Sequence, residues 1–193
     1  MSIEDRAMRA TVWRLFFCQA LMNATMVGQV AMGALIGHSL ASDTALATLP
    51  MAVQMTAVMA ASIPASIIFG RFGRRIGFTL GAVISMCGSL TYAIGVYRQD
   101  FLIYCLGSVF AGAGWGIAQH YRFAAAEAAT PVYRPRAIAL VMAGPVLSAL
   151  FGPELVKHTY MSLMPYMFLG TYLILALLPV VCLVLLTRLK LPP

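Results

Sequence analysis

The amino-acid sequence predicts an all-α integral membrane protein with six membrane-spanning helices. Composition is the first reason: 61% of the residues are hydrophobic and 10% are charged, with a mean hydropathy of +0.87. An ordinary soluble domain carries roughly 25% charged residues. The second reason is length. Apolar runs able to cross ~30 Å of hydrocarbon, about 20 residues of helix, occur near 13–38, 46–69, 76–96, 101–126, 136–157 and 166–187. The third is that basic residues concentrate in alternate connections between these runs. Backbone polar groups in lipid must be satisfied within their own segment, so each run is a helix.

The first run follows Arg6 and Arg9, as the core of a signal peptide would. It extends from about Val12 to Ile36, too long for such a core, and no small-residue cleavage site follows it. It is therefore expected to be retained as the first span, behind a short N-terminal segment at 1–12. Ser42 and Asp43 separate it from the second span, which ends in Gly70-Arg71-Phe72-Gly73-Arg74-Arg75. Three arginines in a short turn broken by glycine cannot lie in hydrocarbon, so this is a tight loop at the membrane surface. The third span stops at Arg98-Gln99-Asp100, the fourth at Thr130 to Arg136 and the fifth at Lys157 to Pro165. The sixth leads to Arg188, so 13–187 forms the transmembrane domain. Residues 188–193 form a tail or the start of an interdomain linker.

Orientation follows from the 13 Lys and Arg residues. Arg6, Arg9, Arg14, Arg71, Arg74, Arg75, Arg134, Arg136, Arg188 and Lys190 fall at the termini or in alternate loops, whereas the other loops hold only Arg98 and Lys157. Arg122 lies near the end of the fourth span. Positive charge marks the cytoplasmic side, which places both termini there, in an inner membrane. An even number of spans requires the same result.

Other classes find no support. A net charge of +7 could suggest nucleic acid, but the basic residues mark membrane loops and form no basic patch with interleaved aromatics. Cys18, Cys87, Cys105 and Cys182 fall inside apolar runs without Cys-x-x-Cys spacing, which reads as buried free thiols. There is no Gly-x-Ser-x-Gly and no His-Glu-x-x-His, so neither an enzyme nor a cofactor is expected. His38 and His158 sit at the outer ends of spans, where water can reach them. Gly33 with Gly37, Gly73 with Gly77 and Gly81, and Gly112 with Gly116 are spaced by four, as in closely packed membrane helices.

The turn from Ser66 to Arg75 resembles the loop between helices two and three of the major facilitator superfamily, usually Gly-x-Leu-Ala-Asp-Arg-x-Gly-Arg-Lys. Arg71, Gly73, Arg74 and Arg75 match it, while Ser66 replaces the first glycine and Gly70 the aspartate. The resemblance implies a gating loop that latches two transporter halves together, with the usual acid missing. A second stretch, Gly144-x-x-x-Ser148-x-x-x-Gly152-Pro153, is similar to the fifth-helix signature of antiporter members. The fourth-helix arginine of proton-coupled drug antiporters, due near Ser108, is absent. Tyr121 to Glu127 and Gly152 to Leu155 look like a branch that includes bacterial copper importers and riboflavin carriers. The resemblance implies one six-helix half of a major facilitator fold, built from two inverted three-helix repeats.

Polar groups inside a bilayer are costly and therefore candidates for function. Gln19 and Asn23 share a face of the first span. In the fourth, Gln119, Arg122 and Phe123 fall on one side, with His120 and Tyr121 turned away. The resemblance implies that the first and fourth helices line a central substrate cavity. Alternatively, these amides bond across neighbouring helices, and Arg122 either snorkels to the interface, pairs with Glu127 or holds an anionic substrate group. Met51, Met55 and Met59 form a stripe on the second span and Met22 and Met26 a pair on the first, with Met26 and Met59 expected at similar depth. Thioethers suit a soft ion such as Cu(I), although methionine also fills irregular gaps in apolar packing.

The expectation is therefore transport of a small solute or ion by alternating access. Six spans wall only one side of a cavity, so the lipid-embedded chain needs a second six-helix half, in the same chain or separately encoded. A non-transporting membrane scaffold or assembly factor is the competing expectation, and copper import the alternative substrate reading.

Overall fold

The computed structural model describes residues 3–189 and is helical throughout, with no strand among the described residues. The helices are α1 (Ile3–Leu40), α2 (Leu49–Phe72), α3 (Arg74–Arg98), α4 (Phe101–Ala118), α5 (Tyr121–Ala128), α6 (Arg134–Thr159) and α7 (Leu169–Thr187), with a single 3-10 turn at Thr44–Leu46. With α4 and α5 counted as one span, six are long and apolar enough to cross a membrane.

Two boundaries differ from the sequence reading. Of the expected N-terminal segment at 1–12, residues 3–12 are continuous with the first span, because α1 begins at Ile3 and buries Thr11 and Val12; residues 1 and 2 lie outside the described residues. At 38 residues and 1.5 Å per residue it is about 57 Å long, well beyond the hydrocarbon thickness. The fourth span is broken at Gln119-His120, which separates α4 from α5 and resets the side-chain register. Of the expected tail at 188–193, residues 190–193, including Lys190, lie outside the described residues.

Local chemistry sets the ends. Asp100 accepts hydrogen bonds from the backbone N–H groups of Leu102 and Ile103 at 2.8 and 3.0 Å, capping α4. Gly73 has φ of +82°, which lets the chain reverse between α2 and α3. Pro50 starts α2, whereas Pro64, Pro145, Pro153 and Pro179 sit inside helices and are the positions where kinks arise.

The principal neighbours are α1 with α6 and α7, α3 with α4 and α7, and α2 with α4. This set maps onto itself when spans one to three are exchanged for spans four to six. Each unit has three antiparallel spans, so the second enters the membrane upside down relative to the first, which makes the repeat inverted. Close approach depends on small residues. A Cβ on Gly116 would lie 2.8 Å from the Val58 carbonyl oxygen, and one on Gly114 2.7 Å from the Ser85 backbone nitrogen. Gly33 differs from the expectation, since a Cβ there meets nothing within 4 Å.

The interior holds one apolar cluster near the arginine turn, around Phe78, Tyr121 and Cys182, and a second near the opposite end, around Tyr92, Tyr104 and Tyr172. Between them lies a buried polar link across α1, α2 and α3. Gln54 Nε2 donates to Gln29 Oε1 and to Met26 Sδ, both at 3.1 Å, and Gln29 Nε2 donates to Ser89 Oγ at 3.0 Å. Cys18 and Cys182 are buried thiols as expected, but Cys87 is exposed on the outer surface of α3 and Cys105 is only partly covered.

Candidate functional site

The arginine turn and α5 together form a cavity of about 600 Å³, lined by Ser66, Phe69, Gly70, Gly73, Arg74, His120, Phe123 and Glu127. Arg74 joins Glu127 through Nε and Nη2, one nitrogen to each carboxylate oxygen. Such a fork is the strongest geometry an arginine offers a carboxylate. Glu127 is held in place because Arg134 Nε donates to the Ala126 carbonyl at 3.0 Å and so satisfies the end of α5.

The cavity wall is aromatic. The His120 ring lies 5.1 Å from Phe69 and 5.9 Å from Phe123, tilted to both. Behind it, Phe78 stacks on Tyr121 at 4.3 Å, and both are fully buried. The inner aromatic layer is filled and the outer one open; Phe123 is 47% exposed.

The arginines of the turn divide into different tasks. Gly73 and Arg74 line the cavity and Arg71 is exposed. Arg75 Nη2 donates to the Thr187 carbonyl at 2.9 Å, while Arg14 Nη1 donates to the Arg188 carbonyl at 2.6 Å. Two cations from α1 and α3 thus meet the C-terminal end of α7, where the helix dipole favours positive charge.

The five predicted cavity residues do not converge. Gln19 is buried in the α1–α6 seam, close to Gly144. Asn23 and Gln119 are half-buried, and Arg122 is exposed. Only Phe123 lines the cavity. The expected pairing of Arg122 with Glu127 is replaced, because Arg74 holds that carboxylate and the Arg122 guanidinium lies over the Phe123 ring at 4.9 Å. His120 is not turned away; the break before α5 rotates it to the cavity.

The fifth-helix motif forms the α1–α6 seam. A Cβ on Gly144 would approach the Phe16 carbonyl oxygen and Ala20 nitrogen to 3.1 Å, and one on Gly152 would meet Val27 at 2.9 Å. Ser148 Oγ donates to the Ala20 carbonyl at 2.7 Å, and Pro153 is exposed. The methionines do not form one ladder. Met22 and Met26 are buried at 1% and 6% exposure, Met51 is half-buried, and Met55 and Met59 point outward at 38% and 75%. A soft ion would find no shared face.

Sequence reasoning passed over Gln29, Gln54 and the Arg74–Glu127 pair. An amide inside an apolar run, the signal that singled out Gln19, applies equally to Gln29 and Gln54. Glu127 is one of only six acidic residues, and the partner of so rare a carboxylate is worth seeking.

The comparison with known proteins bears on this arrangement. This chain is similar to a riboflavin transporter. It is 36% identical over 189 residues to the riboflavin transporter RfnT of Brucella anthropi, covering 98% of this chain and 48% of that protein. The chain therefore spans about half the length of the curated relative it matches. No family model matches the sequence.

Proposed function

We propose that this chain is one six-span half of a major facilitator transporter that moves a small heteroaromatic solute of the riboflavin kind by alternating access. The observation that carries the reading is the similarity to a riboflavin transporter, which runs along nearly the whole chain and stops at half of the relative. The self-mapping helix pairs support an inverted-repeat unit. The least buried spans, α2 and α6, each with only 22% of their most apolar window covered, leave faces for a second half. Ile63 at 72% and Leu150 at 66% exposure lie on those faces. That second half is the continuation of the same polypeptide, another copy or a separately encoded chain.

In this reading the arginine turn faces the cytoplasm with both termini, and the protein sits in the inner membrane. Arg71, Gly73, Arg74 and Arg75 form the loop at which the halves meet. Glu127 supplies the carboxylate that the loop lacks at Gly70. Asn23, Gln119 and Arg122 belong to the surface completed by the partner, whereas Gln19 supports it from within the α1–α6 seam.

The test is uptake of labelled riboflavin in a bacterium unable to make or import it, with this chain expressed alone and with the second half. Uptake that requires both halves is expected. No uptake from correctly inserted halves together overturns the transport reading, and uptake by a chain that crosslinks only as a monomer overturns the half reading.

A further inference from the structure

Gly70 has no structural reason to be glycine. It lies in the last turns of α2 and not in a turn, its φ is not positive, and a Cβ built there meets nothing within 4 Å. Neither packing nor backbone conformation requires it, and glycine inside a helix is less favourable than alanine by about 1 kcal/mol. What the missing side chain leaves is open space in the cavity that Gly70 lines. Gly73, three residues on, differs in kind because its φ of +82° demands glycine.

The surroundings of that space are specific. Phe69, His120 and Phe123 line it, and the His120 ring centre lies 5.1 Å from that of Phe69 and 5.9 Å from that of Phe123, within the spacing at which aromatic rings attract one another. The volume of about 600 Å³ falls in the range of small-molecule sites. At the rim stands a donor beside an acceptor. Arg74 spends Nε and Nη2 on Glu127, and a guanidinium carries five N–H donors, so others remain for a ligand; a carboxylate likewise accepts more than two bonds.

We propose that this cavity binds a flat heteroaromatic ring system bearing an imide edge, at the arginine-turn end of the protein. The ring lies among Phe69, His120 and Phe123 over the space left by Gly70. Arg74 donates to an imide carbonyl and Glu127 accepts the imide N–H. The proposal rests on the transport reading for its solute class and adds a second place where the solute is held, at the loop where the halves meet.

The test uses the full chain in lipid nanodiscs with riboflavin and its N3-methyl analogue as probes, read by quenching of flavin fluorescence. Gly70→Leu places a side chain in the space, its Cβ meeting nothing within 4 Å, and is expected to weaken riboflavin binding at least about tenfold while the thermal midpoint stays level or rises. The unaltered chain is expected to prefer riboflavin over the N3-methyl analogue by about tenfold, the scale of one hydrogen bond to a charged group, and Glu127→Ala, which removes the acceptor, to abolish most of that preference. Gly33→Ala, at the opposite end, should bind as the unaltered chain does. Equal affinities in Gly70→Leu and the unaltered chain, no discrimination between the probes, or no riboflavin binding overturns the site. Uptake in cells with Gly70→Leu-insensitive binding removes this site and leaves the transport reading standing. Gly70→Leu-sensitive binding without uptake does the reverse.

Discussion

Arg74 and Glu127, fifty-three positions apart, meet as a forked ion pair that ties the start of α3 to the end of α5. Arg74 also lies over Phe69, 5.4 Å from its ring centre, so one guanidinium holds both the acid and the aromatic wall. The side chains are 21% and 52% exposed, and solvent weakens the pair accordingly. Glu127→Gln is expected to cost no more than about 1 kcal/mol. A double-mutant cycle with Arg74→Gln, read by thermal unfolding in nanodiscs, should return a coupling of that size. Additive losses would mean the two residues act apart.

The buried amide link should matter more. Gln54→Leu leaves the Gln29 carbonyl and the Met26 sulfur without their donor. Hydrogen bonds between membrane helices are worth about 0.6–2 kcal/mol, and a loss in that range is expected in denaturing-detergent titrations. The double variant Gln29→Leu and Gln54→Leu should lose less than the sum of the single ones, because the first replacement already breaks the shared bond.

Glycines of similar appearance should respond oppositely. Gly116→Ala drives a Cβ towards the α2 backbone at Val58, and overpacking of this kind costs about 1–3 kcal/mol. Gly33→Ala meets open space and should be neutral or stabilising by up to about 1 kcal/mol. Thermal midpoints of the two variants, compared in the same lipid, decide this.

The end of α7 depends on distant arginines. Arg14→Ala with Arg75→Ala removes both cations from the Thr187 and Arg188 carbonyls. Each contributes about 0.3–1 kcal/mol at a helix terminus. Faster amide exchange confined to the last turn of α7 is the expected signature, with protection in α3 unchanged.

Much of the architecture was legible in the chain alone, because the membrane imposes one-dimensional rules. A span needs about 20 apolar residues whose backbone bonds are internal, so the helices could be counted without knowing their neighbours. The same holds for the turn at Arg71–Arg75, which charge alone keeps out of hydrocarbon, and for the close approach at Gly112 and Gly116. Rotation and pairing were another matter. A break of two residues at Gln119-His120 turned His120 towards the cavity, and which arginine would reach Glu127 depended on how α3 and α5 cross. Met26 and Met59 match in kind and in expected depth, yet one is buried and the other faces outward. Hydrophobicity determines that a helix spans; contacts between residues distant in sequence decide which way each side chain faces, and the cavity exists only there.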